Sequence, residues 1–327
     1  MTNNIKKPNV GTKTNFGWRL DLMFGLVDFF TRIGVIPPIA QVTRWPMKKR
    51  QAMTLGGPLI HPPLPSRVKI TEETISPLNA DPFSVRIFTP DVVDASRPTV
   101  LFVHGGGWIA GGMTSSDYLC SNVADGVDAR VISVEYRLAP EFPFPAGLED
   151  SYAALCWIAQ NNSSASGIAV MGDSAGGNLA AALCLLSKQR GGPRIVHQTL
   201  IYPVLDATLQ SDSMNSYTGG GLKRHELVGM VAHYLQGNES PENPLVSPLL
   251  APDVSGLPPA FILTADSDPL RDEGKLYAEK LSAAGISVRY LNVLNAPHGF
   301  ISLPKLCKPT AGAVTEIISE LRAIKSS

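Results

Sequence analysis

The chain reads as a doubly wound α/β protein, a mostly parallel sheet with helices packed on both faces. Three observations carry this. Eight short runs rich in β-branched or apolar residues recur along the 327 residues, at 67–75, 83–89, 99–103, 130–134, 168–171, 199–202, 260–264 and 287–293. Helical patterns lie between them at 115–125, 148–160, 177–188, 272–284 and 310–324, and strand alternating with helix is the signature of a parallel sheet. From Thr99 onward the strand candidates are almost continuously apolar, as strands buried on both faces must be.

The first two runs alternate polar and apolar instead, so an antiparallel edge is expected there. Two regions break the alternation. Residues 1–60 are helical in pattern and punctuated by Pro and Gly, and their apolar stretch 20–40 suits an amphipathic helix covering another part of the molecule. Residues 206–257 hold a polar loop (211–221), a helix near 222–236 and a Pro-rich return. Insertions after strand C-termini are where α/β proteins build lids. The chain therefore divides into an N-terminal helical cap segment (1–60) and a main domain (61–327) with a cap insertion at 206–257.

Composition narrows the class. Hydrophobic residues at 44% and charged residues at 17% fit a folded chain rather than a disordered one. Lys+Arg and Asp+Glu are both 28, so no global field favours nucleic acid or an anionic membrane. The run Lys48-Lys49-Arg50 is short and reads as a solvated surface patch. Cys120, Cys156, Cys184 and Cys307 are widely spaced, with no metal-ligand spacing, which suits a reducing, cytoplasmic setting; Cys156 and Cys184 lie in apolar stretches as small core residues. No signal-type apolar region lies close to the start. Asp21, Asp28, Arg32 and Pro37-Pro38 interrupt the apolar stretch 20–40, so no stable membrane span is expected.

The chemistry begins at Gly172-Asp173-Ser174-Ala175-Gly176, a G-x-S-x-G between a strand candidate and a helix candidate. A serine on a sharp strand-to-helix turn needs strained backbone angles, and a Cβ at either flanking glycine would crowd the turn. The turn also puts Ser174 at a helix N-terminus, where unpaired N–H groups favour developing negative charge. The stretch lacks the lysine of a phosphate-binding loop and forms no proper G-x-G-x-x-G, so it makes a poor nucleotide site.

The second feature, His104-Gly105-Gly106-Gly107-Trp108, follows the strand candidate 99–103 directly. Successive glycines leave N–H groups free to face an anionic tetrahedral intermediate. Gly106 and Gly107 are the expected donors, joined by the N–H of Ala175, while His104 is expected to shape the loop.

A serine nucleophile needs a base, and the base needs an orienting carboxylate. Of the histidines beyond Ser174, His197 precedes a strand candidate at its far end, and His225 and His233 lie on the inserted helix. His298 stands in a loop just after the last strand and is the candidate base. Asp266, Asp268 and Asp272 follow the strand candidate 260–264. Asp272 suits a helix start and Asp266 a turn cap, which leaves Asp268, in the turn fixed by Pro269, as the favoured acid. No metal or cofactor is required.

The chain resembles the bacterial hormone-sensitive-lipase-like (family IV) carboxylesterases of the α/β-hydrolase superfamily. The motifs HGGGW (104–108), EYRLAPE (135–141), GDSAGGN (172–178), YPVLD (202–206), DPLRDEG (268–274) and HGF (298–300) carry the resemblance, in family order. Asp173 matches the branch with Asp before the nucleophile. The resemblance implies an eight-stranded mostly parallel sheet with a helical cap, and hydrolysis of short- to medium-chain carboxylic esters by Ser174, Asp268 and His298. It assigns the oxyanion hole to Gly106, Gly107 and Ala175, and structural packing near the active-site loops to Tyr136 and Arg137. The expected partner is a small-molecule ester. Pairing of related esterases through edge strands makes 287–293 a candidate homodimer surface. Competing readings are a non-catalytic ligand-binding homologue, against which the presence of His298 and Asp268 in matching motifs counts, an amidase with the same triad, and an interfacial lipase that uses 20–39 as an apolar lid.

Overall fold

A computed structural model describes residues 16–33, 37–53, 60–77, 81–161 and 166–324. Expectations for 1–15, 34–36 and 54–59 lie outside the described residues.

Strands β1 (Val68–Ile75), β2 (Phe83–Pro90), β3 (Thr99–Val103), β4 (Val131–Val134), β5 (Ile168–Asp173), β6 (Ile195–Ile201), β7 (Ala260–Ser267) and β8 (Val288–Pro297) form one sheet. Its order is β1-β2-β4-β3-β5-β6-β7-β8. β2 runs antiparallel to both its neighbours, and every pairing from β4 to β8 is parallel. Every residue of β3, β4 and β5 is buried, which is why these strands show no alternation in sequence.

Successive residues of β3 feed opposite cores. Leu101 and Val103 join one cluster with α4 (Ala146–Asn161), α5 (Ala175–Arg190) and α8 (Arg271–Ala283). Val100 and Phe102 join the other, with α3 (Asp117–Val127) and α9 (Pro309–Ala323). These helices fall within two residues of the expected spans. α5 is buried from Ala175 through Ser187, as a helix apolar on every side must be.

Several expectations need correction. β6 begins at Ile195, not 199, so His197 lies inside a buried strand, with Nε2 3.5 Å from Glu320. The polar loop 211–221 contains a short helix, α6 (Asp212–Ser216), capped by Ser211, whose hydroxyl accepts from the Met214 N–H. Cys184 is buried as expected, whereas Cys156 is half-buried.

The N-terminal segment supplies α1 (Trp18–Arg32), a 3₁₀ turn (Ile39–Arg44) and α2 (Met47–Gln51). It meets the 206–257 insertion and its helix α7 (Arg224–Leu235). Lys223 Nζ donates to Asp28 at 2.7 Å, and His233 Nε2 lies 3.0 Å from the Ala40 carbonyl. Phe24 packs on Gly220 and Gly221, while Leu22, Leu26, Phe29 and Ile33 point outward. The basic run departs from expectation too. Lys48 and Lys49 are exposed, but Arg50 is fully buried.

Candidate active site

Ser174 follows the last residue of β5 and precedes the first of α5, with φ 55° and ψ −120°. That is a costly conformation for a residue with a Cβ, on the order of 1–3 kcal/mol. The turn is held from both sides, because the Ser174 N–H donates to Ile201 (2.9 Å) while its carbonyl accepts from Asn178 (3.0 Å) and Val204 (3.2 Å). The flanking glycines have a steric cause. A Cβ on Gly172 would stand 2.2 Å from the Gly176 carbonyl oxygen, and one on Gly176 would stand 2.0 Å from that of Val103.

Three separate segments converge on this serine. Ser174 Oγ lies 2.9 Å from His298 Nε2, and His298 Nδ1 lies 2.7 Å from Asp268 Oδ2. The other Asp268 oxygen accepts the Leu270 N–H at 2.9 Å, which orients the carboxylate. Asp268 is buried, whereas His298 keeps slight exposure, so the imidazole opens towards solvent while the carboxylate beside it stays dry. The Tyr202 ring tilts against the imidazole with centroids 4.8 Å apart.

The competing acids lie elsewhere. Asp266 belongs to β7 rather than capping a turn, and its carboxylate accepts from Asn292 at 3.2 Å. Asp272 stands in the first turn of α8 and accepts the Ser213 N–H at 2.9 Å. Among the other histidines, His225 is exposed and His104 is fully buried. His104 stacks on Tyr136 with centroids 4.2 Å apart, and the Tyr136 hydroxyl donates to the His104 carbonyl at 3.0 Å. Burial pushes the His104 imidazole down to about 4, offset in part by its bond to the Gly105 carbonyl. It is therefore neutral at pH 7, as a loop-shaping residue should be.

The glycine loop follows β3 and faces the same turn. Gly106 and Gly107 have φ of 119° and 62°, a region that favours glycine. The Gly106 carbonyl accepts from Ile109 (3.2 Å) and Ala110 (3.0 Å), which coils the loop on itself. Among the described residues, the Gly106 and Gly107 N–H groups have no protein partner. Ala175 is the first residue of α5, so its N–H belongs to the unpaired set at a helix start. Two groups of donors thus border one serine, an arrangement suited to an oxyanion.

Several supporting residues escaped sequence reasoning. Asp173 accepts the Gly105 N–H at 2.8 Å, and burial raises its carboxyl to about 6 against the lowering effects of that bond and of His298. Asn178 donates to the Val204 and Val246 carbonyls at 3.0 and 2.8 Å, the first just before the insertion and the second within its return. The buried Glu273 carboxylate accepts the Leu205 (2.9 Å) and Asp206 (2.6 Å) N–H groups. Their signal was present as GDSAGGN and DPLRDEG, but which loops they would bind depends on the tertiary path. Arg137 pairs with Asp150 through Nη2 at 2.8 Å, the structural role expected of it.

A model of the alpha/beta hydrolase fold matches residues 100–302. The chain is 42% identical over 265 residues to the carboxylesterase NlhH of Mycobacterium tuberculosis, covering 78% of this chain and 82% of that protein. It is 42% identical over 282 residues to the carboxylic ester hydrolase LipN of the same organism, covering 82% and 72%. A solved ester hydrolase from the metagenome of Lake Arreo superposes with a TM-score of 0.84 at 33% identity, covering 94% of this chain and 98% of that one.

Proposed function

For a chain that belongs to the α/β-hydrolase family, and within it to the bacterial family IV carboxylic ester hydrolases, we propose Ser174 as nucleophile, His298 as general base and Asp268 as the carboxylate that orients it. The N–H groups of Gly106, Gly107 and Ala175 serve as the oxyanion hole. The observation that carries the assignment is the unbroken hydrogen-bonded chain from Ser174 Oγ through both His298 nitrogens to Asp268 Oδ2.

In the first half-reaction His298 Nε2 takes the hydroxyl proton as Ser174 Oγ attacks the ester carbonyl carbon. The carbonyl π electrons move to oxygen, and the three N–H groups stabilise that charge. Collapse reforms the carbonyl and breaks the C–O bond to the alcohol, which leaves with the proton His298 returns. Water then repeats the sequence on the acyl-enzyme, releasing the acid and restoring Ser174. Asp268 holds the His298 tautomer through Nδ1 and stabilises the imidazolium that forms.

The substrates in this reading are short- to medium-chain carboxylic esters. The described residues of the N-terminal segment, 16–33 and 37–53, form the cap together with 206–257, supported by the contacts of Asp28 and Ala40 with the insertion. Met230 of α7 bears on Gly107, which brings the cap to the oxyanion loop. No helix among the described residues is long and apolar enough to cross a membrane. We assign the protein to the cytoplasm on its four free cysteines. β8 is an edge strand, which supports a homodimer through that edge; light scattering tests it.

Rates on p-nitrophenyl esters from C2 to C16, beside Ser174→Ala, test the function. The expected profile peaks at short to medium chains and vanishes in the variant. A preference for long-chain emulsions, or full turnover by Ser174→Ala, contradicts it.

A further inference from the structure

The deepest-buried cation in the N-terminal segment sits behind the glycine loop. Arg50 has no solvent exposure. A guanidinium carries five N–H donors in a fixed fork, and here each has an acceptor. Nε donates to the Trp45 carbonyl (3.1 Å), Nη1 to those of Ile109 (2.6 Å) and Ala139 (2.7 Å), and Nη2 to both oxygens of Glu141. The Arg50 carbonyl accepts the Gly111 N–H at 2.9 Å, so the residue grips the loop from two sides.

The acceptors explain what such a group does there. Ile109 and Ala110 donate their N–H groups to the Gly106 carbonyl. The Ile109–Ala110 peptide whose oxygen Arg50 holds is therefore one hydrogen bond removed from the Gly106–Gly107 peptide, which carries the Gly107 donor and follows directly on the residue that carries the Gly106 donor. Ala139 in turn donates to the Trp108 carbonyl at 2.9 Å, which closes a ring from Arg50 through 139 and 108 back to the loop. Burying a cation is costly unless every donor is used, and removing it strands the Ile109 and Ala139 carbonyls, whose bonds to it are buried. Residue 50 also lies outside the span matched by the family model.

We propose that Arg50 is a positioning residue for the oxyanion hole, a clamp from the N-terminal segment that fixes the aim of the Gly106 and Gly107 N–H groups. The inference rests on the reading of those groups as oxyanion donors. A lysine cannot replace it, because one ammonium offers three donors from a single point and cannot span carbonyls at 45, 109 and 139 together with Glu141.

The test uses the full chain, with Arg50→Met and Arg50→Lys compared to wild type per active site titrated by a phosphonate. Measured for each are kcat and KM on p-nitrophenyl butyrate, Tm, and the Ki of a trifluoromethyl ketone, whose adduct carries a tetrahedral oxyanion. The clamp predicts a fall in kcat on the order of 10–100-fold, since small misplacements in an active site reach that range, with KM nearly unchanged and Ki rising by a similar factor. Should Arg50→Met not fold, Arg50→Lys carries the same prediction. A lower Tm with kcat per titrated site unchanged, or a rise in KM alone, overturns the clamp and leaves the esterase mechanism standing. Full turnover by Ser174→Ala overturns both.

Discussion

The Asp173 carboxylate accepts the Gly105 N–H at 2.8 Å, across 68 residues of chain. One bond thus joins the turn that presents Ser174 to the loop of Gly106 and Gly107. The proposed nucleophile and the proposed oxyanion donors are set relative to each other rather than separately. Asp173→Asn keeps an acceptor oxygen and should retain most activity. Asp173→Ala leaves a buried N–H unpaired, which costs about 1–3 kcal/mol, and should lower kcat at least tenfold. Steady-state rates per titrated site check this; equal activity of the two variants contradicts it.

The same pair of segments carries two groups that titrate in opposite senses. Burial raises Asp173 from 3.8 to about 6. Its favourable contribution to stability is fully present below 3.8 and is lost as pH rises through 6. Burial lowers His104 from 6.5 to about 4. Its contribution is present above 6.5 and is lost as pH falls through 4. Each is worth about 3 kcal/mol across its window. Relative to wild type, Asp173→Asn should gain stability from pH 4 to 7, and His104→Phe should gain it from pH 7 to 4. Urea unfolding at stepped pH measures both; parallel curves for either variant contradict its assignment.

Glycines 106 and 107 should fail differently. A Cβ at Gly106 would meet the Ala110 carbonyl oxygen at 1.9 Å, a backbone atom that cannot step aside. At Gly107 it would meet Met230 Sδ at 2.3 Å, on a flexible side chain. Gly106→Ala should therefore be nearly inactive. Gly107→Ala should be impaired by strain and crowding, and partly rescued by Met230→Ala in the double variant. The double-mutant cycle on kcat reads this coupling directly.

Asn178→Ala removes donors from two buried carbonyls, one just before the insertion and one within its return. The expected cost is about 1–3 kcal/mol of stability, with greater amide exchange in 204–207 and 246–251 than elsewhere. Uniform exchange across the chain contradicts the anchoring role.

Much of this was readable in the sequence, for identifiable physical reasons. The central strands show as apolar runs because both faces are covered, and Gly172, Ser174 and Gly176 declare their turn because only small residues fit it. His298 and Asp268 stand out in the sequence by their place after strand C-termini, and the fold brings both to Ser174. What remained hidden depends on where distant carbonyls arrive. Arg50 reads as part of an exposed basic run until residues 109 and 139 fold against it. His197 looks like loop until β6 extends back to Ile195. Asn178 and Glu273 sit inside recognisable motifs, yet the loops they hold are set only by the path of the insertion.

The most direct test is to treat the enzyme with a p-nitrophenyl phosphonate and locate the added mass by peptide mapping. The expected result is one phosphonyl group on Ser174, complete loss of p-nitrophenyl butyrate hydrolysis, and neither adduct nor hydrolysis in Ser174→Ala. An adduct on another residue, or hydrolysis that persists in Ser174→Ala, would contradict the mechanism.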